Sequence, residues 1–176
     1  MYDLNITGYM EENDLKQIEL WASEVPANGT IVEVGSFQGR SAIAWALSCD
    51  PSVKVYCVDP FTVTPDRNDF REFTKNTEHL KNIIPLRGLS PYDITYPGDP
   101  IDIFFLDAEH ANPSDLDNLE YFIPFIKKGG LLCGHDYNAA PDCMPPDLEA
   151  NIRMLEKRFN QPVTLYPGTL LWSFRM

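Results

Sequence analysis

From Thr30 onward, short runs of apolar and β-branched residues alternate with longer stretches whose apolar positions recur at helical spacing. The runs are TIVEVG, VKVYCVD, NIIPLRG, IDIFFLD, GGLLCGHD, PVTLYP and TLLWSFRM. Near-continuous apolar runs of this length, set apart by amphipathic intervals, predict βαβ units and a doubly wound α/β architecture around a mostly parallel, seven-stranded sheet. In the first interval, GRSAIAWALSCD places Ile43, Ala44, Ala46 and Leu47 at helical spacing. The stretch NPSDLDNLEYFIPFIKKGG predicts another helix, with Ser114 as N-cap, Lys127 and Lys128 in the last turn and Gly129 as a left-handed C-cap. Pro124 should kink it or end it early. The last two runs are joined only by Pro167 and Gly168, too short a link for a helical crossover, so they should close the sheet as an antiparallel hairpin.

This pattern divides a single domain, 1–176, into an N-terminal helical segment (1–29), a binding core (30–137) and a closing loop, helix and hairpin (138–176). Open parallel sheets bind ligands beyond the carboxyl ends of their strands. The positions to watch are therefore Gly35 to Gly39, Asp59, Gly88 to Ser90, Asp107 to His110, and His135 to Tyr137.

Each of these strand ends has a functional and a plain reading. EVGSFQGRS leads from a strand into a helix, so its amides and the helix N-terminus suit a carboxylate or anion, although a tight βα turn without ligand needs the same glycines. Glu33, inside the preceding strand, carries a desolvation cost unless a partner such as an ammonium group meets it. Asp59 stands where an acidic residue accepts ribose hydroxyls in dinucleotide folds, or it caps the turn at Pro60. Ser90 is a further contact or a loop serine. Asp107, Glu109 and His110 at one strand end, with His135 and Asp136 at another, gather carboxylates and imidazoles at one edge. Carboxylates suit Mg²⁺, Ca²⁺ or Mn²⁺, and an imidazole shifts the preference towards a transition metal; the plain reading is a set of solvated polar ends.

Composition removes several classes of partner. The chain has 176 residues, 14 basic and 26 acidic, for a formal net charge of -12, which disfavours nucleic acid and anionic membrane surfaces. No apolar run approaches the length of a membrane span, and MYDLNITGYMEEND lacks the features of a secretion signal, so a cytoplasmic protein is expected. Cys49, Cys57, Cys133 and Cys143 form no CxxC pair and suggest neither a zinc ribbon nor a disulfide framework.

The order Glu33-x-Gly35-x-x-x-Gly39-x-Ser41, Asp59-Pro60-Phe61, Asp107-x-x-His110 and His135-Asp136-Tyr137 resembles the class I S-adenosylmethionine-dependent methyltransferases. The resemblance is to the small branch of macrocin-type sugar O-methyltransferases and cephalosporin-hydroxylase-like proteins. It covers about Thr30 to Tyr137 and implies a Rossmann-like fold with S-adenosylmethionine as cofactor. By the same resemblance, Glu33, Gly35, Ser36, Gly39 and Ser41 hold its methionine end, Asp59 its ribose and Ser90 its adenine. Asp107, Asp136 and His135 would bind a divalent metal such as Mg²⁺, and His110 would be the general base acting on the hydroxyl of a small-molecule or sugar acceptor. Relatives often carry an acidic residue where His135 stands. An NAD(P)-dependent oxidoreductase explains the glycines and Asp59 but not the Asp and His cluster, and a non-catalytic nucleotide-binding protein is the other alternative. The loop from Tyr137 to Asn151 is the expected place for acceptor contacts, and a neighbouring subunit of a homo-oligomer would complete so short a binding site.

Overall fold

The computed structural model describes residues 2–62, 68–137 and 145–176. Helix α1 (Glu12–Ser23) precedes β1 (Thr30–Val34), α2 (Arg40–Ser48), β2 (Lys54–Asp59), α3 (Asp69–Thr77) and β3 (Ile83–Arg87). Then come β4 (Ile101–Leu106), α4 (Ser114–Phe122), a 3₁₀ turn, β5 (Ile126–Gly134), α5 (Pro146–Phe159), β6 (Thr164–Leu165) and β7 (Trp172–Arg175). The strands form one sheet in the order β3-β2-β1-β4-β5-β7-β6. Strands β1 to β5 pair in parallel, while β7 is antiparallel to both β5 and β6. The Rossmann-like doubly wound sheet and its reversed terminal strand are as the run pattern predicts.

Alternation along the strands feeds two separate cores. Ile31 and Cys57 face Leu15, Ile18 and Trp21 of α1, Trp45 of α2 and Phe73 of α3. Val32, Val34 and Phe104 face Leu119 and Phe122 of α4 and Leu148, Ile152 and Leu155 of α5. Among the described residues, three helices thus cover one face and two the other. Strand β1 is buried at every position, the price of lying between β2 and β4 with helices on both sides.

Several local expectations change. In α2 the buried positions include Ala42, Ile43, Ala44, Trp45 and Ala46, whereas Leu47 is 47% exposed. Ser114 is the first helical residue of α4, and Pro113 before it takes the N-cap position without a side-chain cap. That helix stops at Phe122, because Pro124 lacks the N–H needed to continue it, and Ile123–Phe125 tightens into a 3₁₀ turn. Lys127, Lys128 and Gly129 consequently lie in β5, not in a helical last turn. Lys127 meets the Asp102 carboxylate at 2.7 Å, and the β4/β5 register shifts between Ile101 and Ile103 to absorb the extra residues. The terminal hairpin is present, but its loop spans 166–171, because Leu170 gives its N–H to Asp14 and its carbonyl to Tyr137 rather than to a strand neighbour. Cys57 and Cys133 are buried and unpaired, and Cys143 lies outside the described residues.

Candidate functional site

The chain winds outward from β1 through β2 to β3, then returns to place β4 on the other side of β1. Such a reversal opens a crevice between the loops that follow the two central strands. Hydrogen bonding carries each ladder one residue past its strand: Gly35 donates to Val58, Asp107 to Val34 and His135 to Leu106. Gly35 and Asp107, the first residues beyond β1 and β4, thereby stand in the wall of a cavity of about 700 Å³; beyond β5 it is Asp136, not His135, that lines it.

Gly35 and Ser36 of the glycine turn line this cavity, with Ser41 from the first turn of α2. Gly35 has φ +98°, and a β-carbon there would stand 1.7 Å from the carbonyl oxygen of Asp107. The close approach that demands this glycine is therefore the neighbouring strand end. Gly39, also left-handed, is the N-cap of α2 and gives the first-turn amides no side-chain acceptor. It packs on Thr77 and Phe73 and is not part of the cavity wall.

Glu33 lies fully buried beneath the turn, its Oε1 accepting from Trp45 Nε1 at 3.1 Å. Burial pushes its pKa up to about 7, against the pull of the nearby Ser36, Ser41 and Trp45 donors and with a further push from the Asp107 charge. Its Oε2 and the Ser36 Oγ complete no hydrogen bond within the protein, which is the condition that an incoming ammonium group would relieve.

Asp59 lines the same cavity and organises two loops at once. Its Oδ2 accepts the Phe37 N–H of the glycine turn at 2.8 Å, and its Oδ1 accepts the Phe61 N–H at 2.5 Å, so the turn-capping role exists whatever else the carboxylate binds. Burial raises its pKa, partly offset by those amides. Ser90 reaches the cavity from beyond β3, with its hydroxyl donated to Asn118 Oδ1 at 2.6 Å.

At the far edge the cavity is lined by Asp107, Glu109 and Asp136. Asp107 is pushed up to about 6 by burial and by the Asp136 and Asp14 charges, against the pull of His135 and His110. His110 and Asp136 both adopt left-handed backbone, with φ +53° and +64°. His110 Nδ1 lies 3.2 Å from Asp115 Oδ2, and its Nε2 is 3.5 Å from Asp136 Oδ2 and 3.9 Å from Asp107 Oδ1. Burial opposes charge on this ring, but the carboxylates, led by Asp115, outweigh it and raise its pKa. His135 Nδ1 is 3.1 Å from Asp136 Oδ1 and 3.6 Å from Asp107 Oδ1, while its Nε2 faces Asp14 Oδ2 at 3.5 Å. Against burial, Asp136, Asp14 and Asp107 together raise its pKa to about 10. Among the described residues, the ligand atoms that gather within 4.8 Å of one another belong to Asp107, His110 and Asp136, a set suited to a divalent cation.

The sequence reading did not include four contributors. Arg40, directly after Gly39, donates to the carbonyls of Ile6 and Met10 at 2.7 Å and of Leu4 at 3.1 Å. It thereby holds the N-terminal segment against the cavity, where Thr7 to Met10 form a wall and Tyr9 stacks on Phe37. Asn118 fixes Ser90, Asp115 supports His110, and Asp14 faces His135. No local motif marks them, since each acts on a residue distant in sequence or on a different element. Of the loop expected to contact the acceptor, 138–144 lies outside the described residues, and Pro146 to Asn151 belong to α5. No helix among the described residues is long and apolar enough to cross a membrane.

Comparison with known proteins agrees with this geometry. A curated relative, an uncharacterized protein of Acanthamoeba polyphaga mimivirus, is 24% identical over an alignment of length 126 that covers 66% of this chain; the chain spans 56% of that relative's length. A solved caffeoyl-CoA O-methyltransferase-like protein of Staphylococcus aureus superposes with TM-score 0.74 at 15% identity, covering 98% of this chain and 88% of that one. A TDP-rhamnose 3'-O-methyltransferase of calicheamicin biosynthesis gives 0.70 at 18%, covering 93% and 77%. An rRNA methylase of Streptococcus thermophilus gives 0.63 at 16%, covering 94% and 96%. At such identities these structures share the fold, and their different acceptors show that the fold does not select one. The family described as methyltransferase domain matches residues 32–137. With more than half of its length matched, the chain belongs to the methyltransferase domain family and carries the class I S-adenosylmethionine-dependent methyltransferase fold.

Proposed function

We propose that the protein transfers a methyl group from S-adenosylmethionine to a hydroxyl oxygen of a small molecule or sugar, assisted by a divalent cation. One observation carries the reading: a single cavity joins the glycine turn, Asp59 and Ser90 to the carboxylate edge of Asp107 and Asp136. The cofactor supplies an electrophilic methyl group, and the cation supplies positive charge that lowers the pKa of a bound hydroxyl. Gly35, Ser36 and the start of α2 would receive the methionine end, with Glu33 below it and Ser41 beside it. Asp59 would take the ribose hydroxyls and Ser90 would border the adenine. Asp107 and Asp136 would hold the cation, and the proton of the acceptor hydroxyl would leave through the carboxylates and imidazoles of that edge. Such a transfer needs little covalent help beyond placing the oxygen in line with the methyl group. The acidic edge and the charge of -12 favour a small acceptor over nucleic acid or a membrane surface.

The test is direct. S-adenosylhomocysteine should raise thermal stability, and NADH should not. A ligand at 100 times its dissociation constant adds roughly 2.7 kcal/mol to the folded state. Methyl transfer to hydroxylated acceptors should stop in excess chelator while S-adenosylhomocysteine affinity stays unchanged. Stabilisation by NADH alone would overturn the reading, and cofactor binding without turnover on any acceptor would favour the non-catalytic alternative.

A further inference from the structure

The two histidines at the carboxylate edge are not equivalent. The unbonded ring nitrogen of His135 faces Asp14 on α1, itself engaged by the Glu11 and Leu170 amides, and its other nitrogen is committed to Asp136 Oδ1 at 3.1 Å, with Asp107 Oδ1 at 3.6 Å. The unbonded ring nitrogen of His110 faces the Asp107 and Asp136 carboxylates instead. The His110 side chain is only 2% exposed, so no bulk water relieves that nitrogen. Its other nitrogen points at Asp115, itself 1% exposed, across 3.2 Å. A proton held on Nδ1 for Asp115 leaves the Nε2 lone pair directed at the two carboxylates.

The separations suit shared coordination. With metal–ligand bonds of about 2.1 Å, neighbouring ligand atoms stand ~3 Å apart and opposite ones ~4.2 Å. His110 Nε2 lies 3.5 Å from Asp136 Oδ2 and 3.9 Å from Asp107 Oδ1, inside that interval. A carboxylate–imidazole pair behind a metal fixes the tautomer and raises the basicity of the ligand.

We infer that His110 Nε2 completes a one-imidazole, two-carboxylate ligand set with Asp107 and Asp136, that Asp115 positions the ring, and that the set selects a first-row transition ion over Mg²⁺. An imidazole ligand suits Fe²⁺, Ni²⁺ or Zn²⁺, while carboxylates and water suit Mg²⁺ and Mn²⁺ alike, so the added nitrogen is what lifts a first-row transition ion above Mg²⁺. His110 is then a metal ligand in place of a free base. The inference rests on the methyltransferase reading only for the purpose of the ion, so the two can fail separately.

The experiment uses the full chain and two probe ions, Mn²⁺ and Mg²⁺, titrated by calorimetry. Mn²⁺ should bind at least tenfold more tightly than Mg²⁺. His110→Gln should weaken Mn²⁺ by about 10–100-fold and largely remove the preference, and Asp115→Asn should weaken it in the same direction. Pulsed electron paramagnetic resonance of the Mn²⁺-loaded protein should show modulation from one imidazole nitrogen, lost in His110→Gln and kept in His135→Gln. Should His110→Gln fail to fold, modulation retained in His135→Gln still assigns the nitrogen to His110. No nitrogen modulation, equal affinity for the two ions, no binding of either, or loss of the signal in His135→Gln alone would each overturn the inference. If Mn²⁺ binds with nitrogen modulation but S-adenosylhomocysteine does not bind, the methyltransferase reading fails and the metal site stands.

Discussion

The β-carbon that Gly35 lacks would stand 1.7 Å from the carbonyl oxygen of Asp107, so the end of β1 and the end of β4 touch through backbone alone. This contact sets the distance between the glycine turn, which is suited to a cofactor, and the carboxylate edge, which is suited to a cation. Gly35→Ala must relieve the overlap by moving one strand end, and it also places alanine at φ +98°. The left-handed conformation alone costs about 1–2 kcal/mol, and the backbone displacement brings the expected loss to ~3 kcal/mol. In a domain of this size that lowers the melting temperature by roughly 6–12 °C. A shift under about 2 °C in a thermal melt would show that the two strand ends are not in fixed contact.

Asp59→Ala removes the acceptor for both the Phe37 and the Phe61 amides. The glycine turn then loses its tether to β2, and any ribose hydroxyls lose their carboxylate. Hydrogen bonds to a charged group contribute on the order of 1.5–3 kcal/mol, so S-adenosylhomocysteine affinity should fall by about 10–100-fold in calorimetry. Unchanged affinity would leave Asp59 with its turn-capping role only.

Glu33 makes the protein pH-sensitive in a specified direction. Its ordinary pKa of 4.5 is raised to about 7 by burial. Below about pH 4.5 the carboxyl is neutral whether the chain is folded or not. As pH rises towards about 7 the unfolded chain ionises first, so folded stability falls, by on the order of 3 kcal/mol once complete. Glu33→Gln keeps an acceptor for Trp45 but cannot ionise. Its melting temperature relative to the unsubstituted protein should therefore climb between about pH 4.5 and 7 and then level off. Parallel profiles for the two proteins would show that Glu33 titrates normally.

Arg40→Gln should release the N-terminal wall. Three carbonyls, those of Leu4, Ile6 and Met10, lose a charged donor, while the core positions of α2 are untouched. Amides of residues 4–10 should then exchange with deuterium faster, and S-adenosylhomocysteine should bind more weakly, because Thr7 to Met10 form one side of the cavity. Exchange rates in that segment equal to those of the unsubstituted protein would remove Arg40 from this role.

The run pattern from TIVEVG to TLLWSFRM determined the architecture by itself, because strand length, burial on both faces and helical intervals are all local properties of sequence. Of the site residues expected from sequence, Gly35, Ser36, Ser41, Asp59, Ser90, Asp107 and Asp136 line one cavity, whereas Glu33, Gly39, His110 and His135 lie behind its wall. Elements whose ends depend on competition between local signals were less legible. Lys127 to Gly129 have the composition of a helix end, yet pairing of Ile126 with Ile101 and of Lys127 with Asp102 draws them into a strand. The division of labour between His110 and His135 was decided only in three dimensions. Both follow strand ends and both stand beside carboxylates in sequence. Which ring nitrogen is left unbonded, and what it faces, depends on Asp115 from α4 and Asp14 from α1, residues brought near by helix packing on opposite faces of the sheet. The same holds for Arg40, whose acceptors lie 30 to 36 positions away along the chain and meet it only because α1 packs on α2.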